Sequence, residues 1–148
     1  MITADTNVLV YLFDDRDPAK QAAAGELLRA MEIGDRLLGL QVIGELQNVL
    51  RRKLGQPPWE AAQNARNLLE LFDVYCPTEV AGGEALTLMA SGRLSYWDGL
   101  LLASAREAGV TVMLSEDMQD GARFGSITVV NPFGEDGLSA RAREVLEL

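Results

Sequence analysis

The sequence predicts one α/β domain, a parallel sheet covered by helices on both faces. Short apolar runs alternate with longer amphipathic stretches from Ile2 to Val130, and strands that are apolar throughout belong to sheets buried on both sides. Length agrees with this. At 148 residues, 48% of them hydrophobic, the chain suffices for one core, and no repeat, low-complexity run or long linker divides it.

Each element has a local reason. Ile2 to Ala4 reads as a strand and Thr6 to Phe13 as a helix, broken by Asp14-Asp15-Arg16-Asp17-Pro18. Asp17 is placed to cap the next helix, and Pro18 suits its first position, where a missing N–H costs nothing. That alanine-rich, amphipathic helix runs to about Ile33 and ends near Gly34. Arg36 to Leu40 is a second strand. A third helix, Gln41 to Lys53, sets Val42, Leu46, Val49 and Lys53 on one side and Gln41, Glu45, Asn48 and Arg52 on another. Gly55 marks its end, and Pro57-Pro58 opens a fourth helix reaching about Phe72.

Asp73 to Cys76 is the third strand, after which Thr78 can cap a helix to about Ser91. Ser95-Tyr96-Trp97-Asp98 starts a helix running to Gly109, and Val110 to Leu114 is a β-branched, apolar fourth strand. Ser115 to Gly125 reads as a loop or short helix, and Ile127 to Val130 as the last strand. The domain is expected to span residues 1–133. Residues 134–148 read as a tail, with a short charged helix over Ser139 to Leu148 packed on the same domain.

Composition removes several chemistries. The chain has no histidine, which excludes Ser-His-Asp triads, Cys-His pairs, His-based zinc sites and histidine acid/base nuclease mechanisms. Its one cysteine, Cys76, allows no internal disulfide and no thiolate cluster, and the apolar Val74-Tyr75-Cys76 context predicts a buried small hydrophobe. No run of about 18 apolar residues is present to span a membrane. The N-terminus enters a strand without a basic leader, so the expected location is the cytoplasm. A net charge of −9 argues against a broad basic face for nucleic acid. What remains is carboxylate chemistry with a hard metal.

The acids have places in the expected fold. In a right-handed crossover a helix runs antiparallel to its strands, so its first turn lies at the carboxyl edge of the sheet, where ligands bind. Asp5 ends the first strand at that edge. Glu45 lies in the first turns of the helix after strand two, Asp98 in the first turn of the helix before strand four, and Asp117 just past Leu114. Each also has a local reading: Asp5 as an N-cap, Ser95-x-x-Asp98 as a capping box, Glu45 as a solvated acid, Asp117 as a turn residue. Local capping does not require all of them to share one edge. Two carboxylates about 4 Å apart repel by about 4 kcal/mol at an effective dielectric of about 20, so such a group needs a proton or cation between its members. Few, oxygen-only ligands suit Mg²⁺ or Mn²⁺, with Thr6, Asn7 and Ser115 placed to orient carboxylates or water. Asp14, Glu116 and Asp120 read mainly as local acids, the last two within reach of a supporting role.

Asp5-Thr6-Asn7 after a strand, Glu45 in Val42-Ile-Gly-Glu-Leu-Gln-Asn-Val-Leu, Ser95-Tyr-Trp-Asp98 with Leu101-Leu-Ala-Ser-Ala105 behind it, and Leu114-Ser-Glu-Asp117-Met-Gln-Asp-Gly121 together resemble the PIN-domain ribonucleases. Within them the likeness is to the toxin component of VapBC-type toxin–antitoxin pairs, over residue 1 to about residue 133. The resemblance implies a three-layer α/β/α fold with a five-stranded parallel sheet. It further implies Mg²⁺- or Mn²⁺-dependent cleavage of single-stranded or structured RNA, homodimerisation, and inhibition by a cognate antitoxin. Asp5, Glu45, Asp98 and Asp117 correspond to the family's acidic quartet, with Thr6 or Asn7 and Ser115 as polar support. Serine stands at 115 where threonine is frequent; both offer a hydroxyl.

Two other readings compete. A haloacid-dehalogenase-type phosphatase also begins with a strand-end aspartate but expects a second acid where Asn7 stands. A non-catalytic PIN-fold module would bind its partner or RNA without cutting. For grip on RNA, Arg16, Arg93 and Arg123 lie in loops a phosphate could reach, whereas Arg51-Arg52-Lys53 reads as a solvated helix end. Tyr96 and Trp97 are expected to pack rather than to stack on a base. The apolar helices after residue 18 could form a dimer face or a groove for a partner's amphipathic helix.

Overall fold

All three residues of β1 (Ile2–Ala4) are buried, as a strand covered on both faces requires. The computed structural model describes residues 1–148. β1 pairs parallel with β4 (Val112–Leu114), which pairs parallel with β6 (Ile127–Val130). β5 (Arg123–Phe124) joins β6 antiparallel, giving the order β1-β4-β6-β5. On the other side, β2 (Leu37–Gly39) and β3 (Asp73–Tyr75) form a parallel pair of their own. One parallel bridge between Ile2 and Arg36 links that pair to β1.

All five expected strands are present, but two details differ. The ladder is interrupted between β1 and β2, and β5 falls within the segment expected to be a loop or short helix. The cause of β5 is local. Gly125, at φ 57°, opens the two-residue turn Gly125-Ser126, a Gly-Ser hairpin signal that folds Phe124 back on Ile127.

Helices surround the sheet. α1 (Thr6–Val10) tightens into a 3₁₀ turn over Tyr11–Phe13 rather than continuing as α-helix. α2 (Pro18–Met31) opens on Pro18, with the Asp17 side chain accepting from the Lys20 N–H. α3 (Leu40–Arg52) and α4 (Pro58–Leu71) follow and pack on each other. α5 (Glu79–Ala90) and α6 (Tyr96–Glu107) are capped by Thr78 and Ser95, which accept from the N–H groups of Ala81 and Asp98. Helix ends shift slightly: α2 stops at Met31 and α6 at Glu107, and just beyond each a glycine in the left-handed region turns the chain, Gly34 at φ 98° and Gly109 at φ 83°.

The main core joins Val8, Leu27, Leu38, Leu46, Met113 and Ile127. Ala81, Ala85, Leu100 and Ala103 form a smaller cluster between α5 and α6. Gly99 permits that approach, since a Cβ there would stand 3.3 Å from the Ala85 Cα. Beyond β6, β7 (Phe133–Gly134) spans the expected domain boundary and pairs with β8 (Gly137–Leu138). α7 (Ala140–Leu146) then places Ala142 and Leu146 in the main core, and Arg143 pairs with Glu26 of α2 at 2.8 Å.

Two burial expectations fail. Cys76 is exposed, because β3 ends at the buried Tyr75 and the next residue leaves the sheet. Trp97 is exposed too, although it opens a helix that packs on the core. No helix is long and apolar enough to cross a membrane.

Candidate active site

Strand register brings the first two site residues together. Ala4 pairs with Leu114, so the next residues, Asp5 and Ser115, leave the carboxyl edge side by side. The Asp5 N–H still donates to Leu114 O at 2.8 Å, extending the ladder by one bond. The N-cap reading of Asp5 is realised with one of its two carboxylate oxygens. Its Oδ1 accepts from the Thr6 N–H at 2.6 Å, capping α1. Its Oδ2 accepts from Ser115 Oγ at 2.9 Å and from Asn7 Nδ2 at 3.1 Å.

Asp5 is buried. Burial pushes its carboxyl above the ordinary value of 3.8, the Ser115 and Thr6 hydrogen bonds oppose that, and the nearby charges of Asp98 and Glu45 push it up again. This is a carboxylate that gains from a cation beside it.

Glu45 is half-buried on α3 and held at both oxygens. Thr6 Oγ1 donates to Oε2 at 2.9 Å and Gln41 Nε2 to Oε1 at 2.9 Å. Asp98 and Asp117 are exposed, and neither carboxylate takes a hydrogen bond or ion pair from the protein. The capping box is therefore only half formed: Ser95 Oγ accepts from the Asp98 N–H at 3.1 Å, while the Asp98 carboxylate is left for other use. All four acids, with Thr6 and Asn7, line one cleft of about 470 Å³.

They share the cleft without closing on one point. No three of the acids stand close enough together to hold a single ion as they are. The donor set itself, oxygen only and negatively charged, fits a hard divalent cation.

The polar support also fixes the loop after β4. Asn7 Oδ1 accepts from the Glu116 N–H at 3.2 Å, and Ser115 Oγ accepts from the Met118 N–H at 3.2 Å. Asp117 lies between these two anchored residues. Glu116 itself is taken up by Lys20 and by the Tyr11 hydroxyl, which donates at 2.7 Å. Asp120 accepts from the Asn131 N–H at 2.9 Å. Asp14 is clamped by Arg16 at 2.7 Å, and that guanidinium holds its carboxyl down to about 2. Each of these three has a protein partner, whereas the carboxylates of Asp98 and Asp117 have none.

Sequence reasoning missed two residues. Gln41 was assigned to a polar helix side, yet it ties Glu45 to the Trp97 carbonyl, the latter at 3.1 Å. Lys53 was read as a solvated helix end, yet it lines the acid cleft together with Arg16. Arg93 and Arg123 line an adjoining cavity of about 370 Å³ that shares Asp98 and Asp117 with the cleft. Arg123 lies in β5 rather than in a loop.

A mostly parallel α/β sheet with carboxylates gathered at its strand ends defines a class of acid-site α/β domains. Within that class the chain belongs to the PIN domain family, which matches residues 2–120. Solved structures share the fold. The sarcin-ricin-loop-cleaving toxin VapC20 of Mycobacterium tuberculosis superposes with a TM-score of 0.69 at 22% identity, over 86% of this chain and 99% of that one. A toxin–antitoxin complex from Klebsiella pneumoniae gives 0.66 at 20%, over 90% and 98%. VapBC2 of Rickettsia felis, bound to a promoter DNA fragment, gives 0.63 at 16%, over 87% and 97%. Among curated proteins, none matches the chain in sequence.

Proposed function

We propose that this chain is a metal-dependent endoribonuclease hydrolysing RNA phosphodiester bonds, a toxin held in check by a cognate antitoxin. The observation that carries this reading is the cleft shared by Asp5, Glu45, Asp98 and Asp117, in which burial first, and then the charges of Asp98 and Glu45, raise the proton affinity of the Asp5 carboxylate. Such a donor set, without histidine or thiolate, selects Mg²⁺ or Mn²⁺. When bound, the cation supplies a nucleophile at neutral pH and neutralises charge gathering on the phosphate during in-line displacement.

The chain's own part is positional. Ser115, Asn7 and the Thr6 N–H hold Asp5, and Thr6 and Gln41 hold Glu45. Asp98 and Asp117, free of protein partners, adjust to cation and substrate. The RNA-cleaving neighbour supports RNA as substrate, and the neighbour solved as a toxin–antitoxin complex supports an antitoxin partner. Exposed Leu86 and Met89, one turn apart on α5, support a homodimer surface. Small size and the lack of a membrane-crossing helix support a cytoplasmic address.

The test is cleavage of a mixed pool of small RNAs with Mn²⁺, with Mg²⁺ and with chelator, Asp5→Asn running beside the parent. Metal-dependent fragments absent from the variant are expected. Equal cleavage by the variant refutes the site, and metal-dependent thermal stabilisation without cleavage by the parent shows a metal site while leaving two readings, a non-catalytic module or a substrate absent from the pool.

A further inference from the structure

Trp97 is left unexplained by the acid cleft. Its side chain is 61% exposed, directly before Asp98 in the first turn of α6. An indole left in water forgoes the stabilisation of burial, and one kept beside a reactive site is suited to a planar ligand. Its surroundings narrow the choice. Trp97 shares an open groove of about 680 Å³ with Gln41, Gly44, Glu45, Gln47 and Asn48. Glu45 lines both this groove and the acid cleft, so the two adjoin.

The indole is also well placed. Gln41 Nε2 donates to Glu45 Oε1 at 2.9 Å and to Trp97 O at 3.1 Å, fastening the first turn of α6 to a site carboxylate. Tyr96 packs edge-on against the indole, ring centroids 5.0 Å apart at 75°.

Resting on the ribonuclease reading, we propose that this groove is a nucleobase subsite for single-stranded RNA. An unpaired base stacks on Trp97, the Asn48 amide and the Gln47 amide oxygen, whose Nε2 donates to Gly44 O at 3.0 Å, meet its edge, and the adjoining phosphate is thereby delivered to the acids. A protein helix or a second copy of the chain needs a broad apolar core to its interface, and Trp97 is the sole hydrophobic residue in this groove. A base needs one π face and a few neutral hydrogen-bonding groups. No lysine or arginine lines the groove, so grip here comes from stacking and depends little on salt.

The experiment uses the full chain carrying Trp59→Phe, which leaves Trp97 as the only indole of the two. With chelator present, a short single-stranded oligoribonucleotide is expected to quench its emission saturably and with little salt dependence, and a duplex of equal length to quench it far less. In metal-activated cleavage, Trp97→Ala is expected to raise KM about tenfold with kcat nearly unchanged, equivalent to about 1.4 kcal/mol, and Trp97→Phe to restore most of the loss. If the parent cuts RNA while Trp97 emission does not respond and Trp97→Ala keeps the parent's KM, the subsite is overturned and the nuclease stands. Emission that follows protein concentration instead of RNA also overturns it, marking an interface between copies. Quenching by RNA that the parent never cuts keeps the subsite and overturns the nuclease.

Discussion

Ser115 Oγ donates to Asp5 Oδ2 at 2.9 Å, joining residues 110 positions apart in the chain. The parallel register of β1 and β4 makes them neighbours, and the bond lands on the one site carboxylate that is buried. Hydroxyl and carboxylate are therefore held as one hydrogen-bonded unit across the two strands.

Ser115→Ala removes a hydrogen bond to a charged group and the acceptor for the Met118 N–H. The expected loss of folding stability is about 1–3 kcal/mol at neutral pH, read by urea denaturation. With one opposing bond gone, the Asp5 pKa rises further, so the pH midpoint of Mn²⁺-dependent thermal stabilisation moves up. An unchanged midpoint and unchanged stability would show that the hydroxyl does not hold Asp5.

Asp5→Asn gives a pH signature without metal. The folded-state pKa of Asp5 lies above the ordinary 3.8, so between those two values the native state binds more protons than the unfolded one. Stability of the parent from this group therefore falls as pH rises through that window, and is constant on either side of it. Asparagine has no such slope. In chelator, the stability of the variant minus that of the parent should rise with pH from about 4 upward and then level; a flat difference would contradict the raised pKa. Added Mn²⁺ should raise the melting temperature of the parent only.

Asp14→Asn should strengthen RNA binding. Arg16 lines the acid cleft but is clamped to Asp14 through Nε at 2.8 Å and Nη2 at 2.7 Å. Removing the carboxylate charge frees a guanidinium for phosphate. A few-fold tighter Kd is expected, with a log–log salt slope steeper by about one. Filter binding at several salt concentrations measures both, and an unchanged slope would leave Arg16 outside the RNA path.

Gly99→Ala tests the packing behind Asp98. Alanine gains about 1 kcal/mol of helix propensity, yet its Cβ would stand 3.3 Å from the Ala85 Cα, a backbone atom that cannot rotate away. A net destabilisation of about 1 kcal/mol is expected from the forced separation of α5 and α6. Thermal melting reads the cost. A stabilised variant would show that the two helices part freely.

Elements and edge were legible in the chain because their causes are local or topological. Asp17-Pro18, Thr78 and Ser95 start helices by satisfying backbone N–H groups within three residues, and short apolar runs have no stable alternative to a buried sheet. The handed crossover then sends Asp5, Glu45, Asp98 and Asp117 to one edge whatever their rotamers. The remaining features depend on distances that sequence does not carry. Whether Cys76 is buried turns on β3 ending one residue earlier, at Tyr75. Gln41 finds the Trp97 carbonyl 56 residues away, and Lys53 reaches the cleft only because α3 lies across it. Pattern in the chain decides which residues share an edge. Side-chain packing and charge repulsion between distant segments decide that Asp5 is buried and held, that Asp98 and Asp117 stay open, and that Trp97 faces the groove.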